Sequence, residues 1–74
     1  MSAHSQLRDL LDRLVGAMVD GRITFDEARR AFETRYIERA LDACDGHLSN
    51  TADRMGIHRN TLARKITEYR IRVK

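Results

Sequence analysis

The chain is 74 residues long, with 42% hydrophobic and 34% charged residues, one cysteine, and no proline or tryptophan. That composition suits a folded, soluble, helical protein better than a disordered one, and a single cysteine excludes an intrachain disulfide. The net charge of +3 is unevenly spread: residues 1–45 hold seven arginines against nine acids, residues 46–74 seven Lys/Arg against two. A basic last third points to a polyanionic partner or, more blandly, to a solvated cationic face.

No apolar run is long enough to span a bilayer, and MSAHSQLRDLLDR has neither the basic start nor the apolar core of a signal peptide. The cytoplasm is the expected location. A single core in a chain this short rarely supplies more than about 3–5 kcal/mol, so oligomerisation is the expected source of further stability.

Periodicity predicts four helices and no strand. The first, over about residues 5–20, repeats Leu7, Leu10, Leu11, Leu14, Ala17 and Met18 on one face, and Gly21 is expected to stop it in a left-handed conformation. Thr24 and Glu27 form a capping-box pattern for the second helix, which runs to about Cys44 with a wide stripe of Phe25, Ala28, Phe32, Tyr36, Ile37, Ala40, Leu41 and Cys44. Its charged residues read as ion-pair partners along an amphipathic helix, Glu33 with Arg39 for example. Asp45-Gly46 ends it. Ser49 is expected to cap a short third helix over about residues 50–55, with Ala52 and Met55 inward. Gly56 breaks the chain again. A fourth helix follows to about Tyr69, with Leu62, Ile66 and Tyr69 as its buried seam. The tail RIRVK is too short to assign.

A short helix, a glycine turn and a second helix make a helix-turn-helix unit. Ala52 is small where the helices must approach, and Ile57 and Leu62 fill the angle between them. With Leu62 and Ile66 inward, Arg59, Asn60, Thr61, Arg64, Lys65 and Glu68 are left toward solvent or on the flanks. The start of such a second helix meets base edges in the major groove. Arginine grips guanine and asparagine grips adenine bidentately, while threonine meets a phosphate or a thymine methyl.

DGHLSNTADRMGIHRNTLARKITEY resembles the DNA-binding region of the Fis-type helix-turn-helix family. That family includes the nucleoid protein Fis and the C-terminal domains of NtrC-like, sigma-54-dependent activators. The likeness rests on Asp45-Gly46, Ala52, Met55-Gly56-Ile57, Arg59-Asn60-Thr61-Leu62 and Arg64-Lys65, without a gap. It is general over residues 24–44 and slight over residues 1–20.

The resemblance implies an all-α, four-helix subunit in an intertwined homodimer, with about residues 5–44 for dimerisation and about 46–69 as the helix-turn-helix. It places Leu7, Leu10, Leu11, Leu14, Met18, Phe25, Phe32, Tyr36 and Ile37 at the dimer interface. Base contacts fall on His58, Arg59 and Arg64, with Asn60 a second-tier candidate. Phosphate contacts fall on Ser49, Asn50, Thr61 and Lys65, with His47 a second-tier candidate. The implied partner is double-stranded DNA, with transcription machinery a further one. A two-fold dimer implies half-sites about one helical turn apart, and the family tends to bend DNA.

Three departures bear on this. His58 stands where Fis has asparagine, which would alter base preference and leaves DNA binding open to pH. Ala63, Thr67 and Glu68 lower the positive charge and with it the expected non-specific affinity. The N-terminal segment is too short for the arm with which Fis activates recombinases.

Cys44, His47 and His58 are one ligand short of a four-ligand zinc site, and no metal or cofactor is expected. No nucleophile motif or glycine-rich phosphate loop occurs, so no enzymatic activity is expected. The reading is a DNA-binding transcription regulator or nucleoid-associated protein. Its alternatives are a detached domain of an NtrC-like activator and a helical adaptor that does not bind DNA. The methionine start and self-contained length favour a complete small protein over the detached domain.

Overall fold

In a computed structural model, residues 3–73 are described. They form α1 (Ala3–Asp20), α2 (Phe25–Ala43), α3 (Leu48–Met55) and α4 (Arg59–Tyr69), with no strand among them. The all-α, four-helix expectation therefore stands. Also among the described residues, no helix is long and apolar enough to cross a membrane.

The core is small and is built from α2, α3, α4 and the tail. Ile37 and Leu41 of α2, Ala52 of α3, Leu62 of α4 and Ile71 beyond it are buried together, with Leu48, Met55, Ile57, Ile66 and Tyr69 packed around them. The helix pairs that pack are α2 with α3, α2 with α4 and α3 with α4. α1 contributes no buried residue.

The ends of the helices follow their local chemistry, with two departures from expectation. The capping box at α2 is complete: the Glu27 amide donates to Thr24 Oγ1 (3.1 Å) and the Thr24 amide to Glu27 Oε1 (3.0 Å). Those bonds hold the Glu27 carboxyl below its usual range. At the end of α1 it is Arg22, and not Gly21, that takes the left-handed conformation (φ 62°). The helix runs on far enough for the Gly21 amide to reach the Ala17 carbonyl, and the Ile23 amide closes on Met18. At α3 the cap is His47, and not Ser49; the helix starts at Leu48, so Ser49 already lies inside the first turn. Thr51, fully buried, donates its hydroxyl to the His47 carbonyl at 2.7 Å and so satisfies itself locally.

The tail adds an anchor that periodicity does not reveal. Arg70 turns left-handed (φ 54°), the Ile71 amide bonds back to the Ile66 carbonyl, and the Ile71 side chain returns to the core.

The wide apolar stripe of α2 is in fact two adjacent faces. Ile37 and Leu41, one turn apart, point at α3 and α4. Phe32 and Tyr36 point elsewhere, with ring centroids 5.6 Å apart and both side chains about half exposed. Ile37, only 1% exposed, belongs to its own subunit's core and has no surface to offer a dimer interface. That corrects its assignment from sequence.

Candidate nucleic-acid interface

The helix-turn-helix unit is built around Gly56. It closes α3 in the left-handed conformation (φ 71°), its amide reaches Asp53, and the Ile57 amide bonds to the Ala52 carbonyl at 3.0 Å. The space beside its α-carbon is open. Backbone conformation, and not crowding, is therefore what calls for glycine here. Ile57 then packs against the core and Leu62, with no exposed surface, pins α4.

With Leu62 inward, the outer face of α4 is set. Asn60, Arg64 and Thr67, at i, i+4 and i+7, form an exposed ridge, with Arg59 exposed beside it. Thr67 was not among the candidates; its hydroxyl donates to the Ala63 carbonyl at 3.2 Å. Thr61 is half-buried on the flank. His58, Arg59, Asn60 and Arg64 are thus brought together at the exposed start of α4.

His58 has a second role that its residue type does not announce. It is the N-cap of α4, and its Nδ1 accepts the Asn60 amide at 3.1 Å. That bond satisfies one of the helix's unpaired first-turn amides. It also settles the tautomer of the neutral ring: the proton sits on Nε2, which is left as a donor.

His47, Ser49 and Asn50 are exposed together at the start of α3. The His47 side chain makes no capping bond, so the first-turn amides of α3 keep their donors and the positive end of its dipole.

Lys65 is placed differently from expectation. It lies toward α2, half-buried, with Nζ donating to Glu33 Oε1 at 2.7 Å. The Tyr69 hydroxyl donates to the same oxygen at 2.7 Å, and Arg29 donates to Glu33 Oε2 and to the Tyr69 hydroxyl, both at 3.3 Å. Glu33 therefore pairs with Lys65 and Arg29, and no Arg39 contact occurs among its bonds; six residues apart on one helix, Glu33 and Arg39 do not share a face. The Lys65 bond above all, then the Tyr69 bond, pulls the Glu33 carboxyl down to about 2. In return, the bond to Glu33 raises the Tyr69 hydroxyl above its ordinary value. Around this cluster Arg29 and Arg30 grip Asp26, and Arg30 reaches Glu68 of α4 at 3.6 Å. None of these long-range pairs is visible in helical periodicity.

The remaining candidates lie on α1 and α2. Leu7, Leu10, Leu11, Leu14, Phe25, Phe32 and Tyr36 are exposed apolar side chains, and Met18 is half-buried. Between α1, α2 and α3 runs an apolar groove of about 550 Å³, lined by Leu14, Met18, Phe32, Tyr36, Ala40 and Met55 among others.

A glycine-turned helix pair whose second helix is anchored by one leucine and bares arginines and an asparagine at its start is a DNA-binding helix-turn-helix. A family model described as "Bacterial regulatory protein, Fis family" matches residues 28–69, from early α2 to the end of α4. The chain belongs to that family of regulators. No curated protein and no solved structure matches it significantly.

Proposed function

We propose that the chain acts as a homodimer that binds duplex DNA with sequence influence, as a transcription regulator or a DNA-bending nucleoid-associated protein. The observation that carries this reading is the start of α4: Arg59, Asn60 and Arg64 stand exposed on a helix fixed to the core by a fully buried Leu62. His58, Arg59, Asn60 and Arg64 meet base edges. His58 does so as an Nε2–H donor, which suits the N7 and O6 acceptors of guanine better than the amino group of cytosine. The side chains of His47, Ser49, Asn50 and Thr61, with the open amides of α3, take phosphates and set the register.

The dimer follows from what one subunit leaves uncovered. Leu7, Leu10, Leu11, Leu14, Phe32 and Tyr36 make an apolar surface of a kind that isolated soluble subunits rarely expose. A second copy covering it brings two α4 helices to one duplex, on half-sites about one turn apart.

Selection of bound sequences from a random duplex pool, followed by a salt titration on the winning site, tests this. A pseudo-palindrome with half-site centres about 10–10.5 base pairs apart and a steep loss of affinity with salt are expected. Absence of binding at low salt overturns the proposal. Arg59→Ala is expected to cost about 1–3 kcal/mol of binding and to relax selectivity at one position of each half-site. If affinity and selectivity both survive, the register of α4 on DNA is different.

A further inference from the structure

We infer that Glu33 withholds Lys65 from the DNA backbone. Lys65 is then a positioning residue that locks the recognition helix to α2, and not a phosphate ligand. The inference rests on the DNA-binding reading above and refines which cations of α4 take part in it.

The geometry is specific. The Lys65 ammonium and the Tyr69 hydroxyl, one turn apart on α4, converge on a single oxygen of Glu33, each at 2.7 Å. The second carboxylate oxygen is held by Arg29, which also touches the Tyr69 hydroxyl. A carboxylate with three donors, two of them charged, is far better satisfied than one in an exposed single pair. Its side chain is 22% exposed and that of Lys65 28%, so water and salt reach the pair less than they reach a surface pair.

Glu33 lies one turn before Ile37 on α2, and Lys65 lies between Leu62 and Ile66 on α4. The polar cluster therefore continues the line of the core and fixes α4 against rotation. To reach a phosphate, Lys65 would have to leave a charged acceptor that would keep only Arg29 and Tyr69. Arg59 and Arg64 have no such tie among the ion pairs of the described residues. The working cationic surface of α4 is narrower than its sequence suggests. Sequence-independent attraction is correspondingly restrained, because each phosphate contact adds to non-specific affinity.

Counterion release separates a phosphate ligand from a positioning residue. Each phosphate contact contributes about 0.9 to the slope of log K against log salt, so two copies of Lys65 in a dimer would contribute about 1.8. Wild type, Lys65→Gln and Glu33→Gln are to be titrated with the selected duplex from low to high salt, with helical content followed by circular dichroism. Lys65→Gln is expected to keep the wild-type slope. Glu33→Gln, which retains shape and a Tyr69 partner while freeing the ammonium, is expected to steepen the slope and tighten low-salt binding by roughly 3-fold per subunit.

A Lys65→Gln slope shallower by about 1.8 overturns the inference, as does a Glu33→Gln slope equal to that of wild type in a folded protein. Should Glu33→Gln lose its helical signal, the Lys65→Gln slope decides alone. Failure of wild type to bind at all would instead remove the DNA-binding reading, so the two failures are distinct.

Discussion

The two ends of this subunit solve the problem of a small core in opposite ways. From Ile37 onward, the end of α2, the two short helices α3 and α4, and the tail close on Ile37, Leu41, Ala52, Leu62 and Ile71. Before Ile37, α1 and the first half of α2 are also rich in apolar side chains, yet none of these is fully buried: Leu7 is 62% exposed and Phe25 87%. The first region has a buried core and the second has none. The family match, over residues 28–69, takes in part of both regions and leaves α1 outside. What differs is the reason for being apolar. One set of side chains holds α4 against α2 and α3, and the other stands exposed on α1 and the first half of α2.

The sharpest way to test that division is to damage each region in turn. Leu62→Ala removes the one side chain of α4 with no exposure and is expected to cost about 2–5 kcal/mol, most of what so small a core can hold. Thermal or urea unfolding should show near-complete loss of the helical transition. Leu11→Asp changes a residue that is not part of the core. It is expected to leave the C-terminal helices folded but to abolish the dimer in sedimentation, and to weaken DNA binding by about 100-fold or more as two linked half-site contacts become independent. Wild-type melting should shift upward with protein concentration, as a dimer requires, and the shift should vanish in Leu11→Asp. Concentration-independent melting of wild type would place both regions in one self-sufficient subunit.

The Glu33 cluster sits at the boundary between the regions, and pH probes it. Its folded carboxyl is depressed to about 2, below an unfolded value of about 4.3. Its contribution to stability is therefore present above the unfolded value and is lost as pH falls through the folded one. Glu33→Gln should accordingly flatten the fall in melting temperature between about pH 4.5 and 2. Asp26 and Glu27, also lowered by their partners, retain a residual slope. An unchanged acid profile would mean that the cluster does not bind α4 to α2 in solution.

Local chemistry and periodicity were enough for the helix number, the Thr24–Glu27 cap, the Gly56 turn and Leu62 as anchor, because each depends on neighbours within a turn or two. They failed wherever a partner comes from elsewhere. On a helical wheel Lys65 is a free flank cation, and only the packing of α2 on α4 brings Glu33, 32 positions away, within 2.7 Å. The stripe of α2 looked like one face until packing divided Ile37 and Leu41 from Phe32 and Tyr36. His58 was legible as a candidate reader but not as a cap, since histidine is outside the usual capping set. Ile71 lacked any helical periodic context, being one of two apolar residues in a short basic tail.

The smallest expected effect compares two arginines in the same strained backbone state, one in each region. Arg22 (φ 62°) ends α1 and Arg70 (φ 54°) ends α4. A left-handed residue with a β-carbon carries about 1–2 kcal/mol of strain, part of which glycine gives back through the freedom of its unfolded chain. Strain counts only where surrounding structure enforces it. After Arg70, Ile71 is buried in the core and holds the turn in place. After Arg22, Ile23 is 44% exposed and α1 is anchored to nothing buried. Arg70→Gly is therefore expected to stabilise by about 0.5–1 kcal/mol at any protein concentration. Arg22→Gly should gain less when the protein is dilute and approach the same value only where a partner copy holds α1. Equal gains in dilute protein would show that the first turn is as firmly enforced as the last, and that the N-terminal region is less dependent on a partner than its exposed leucines imply.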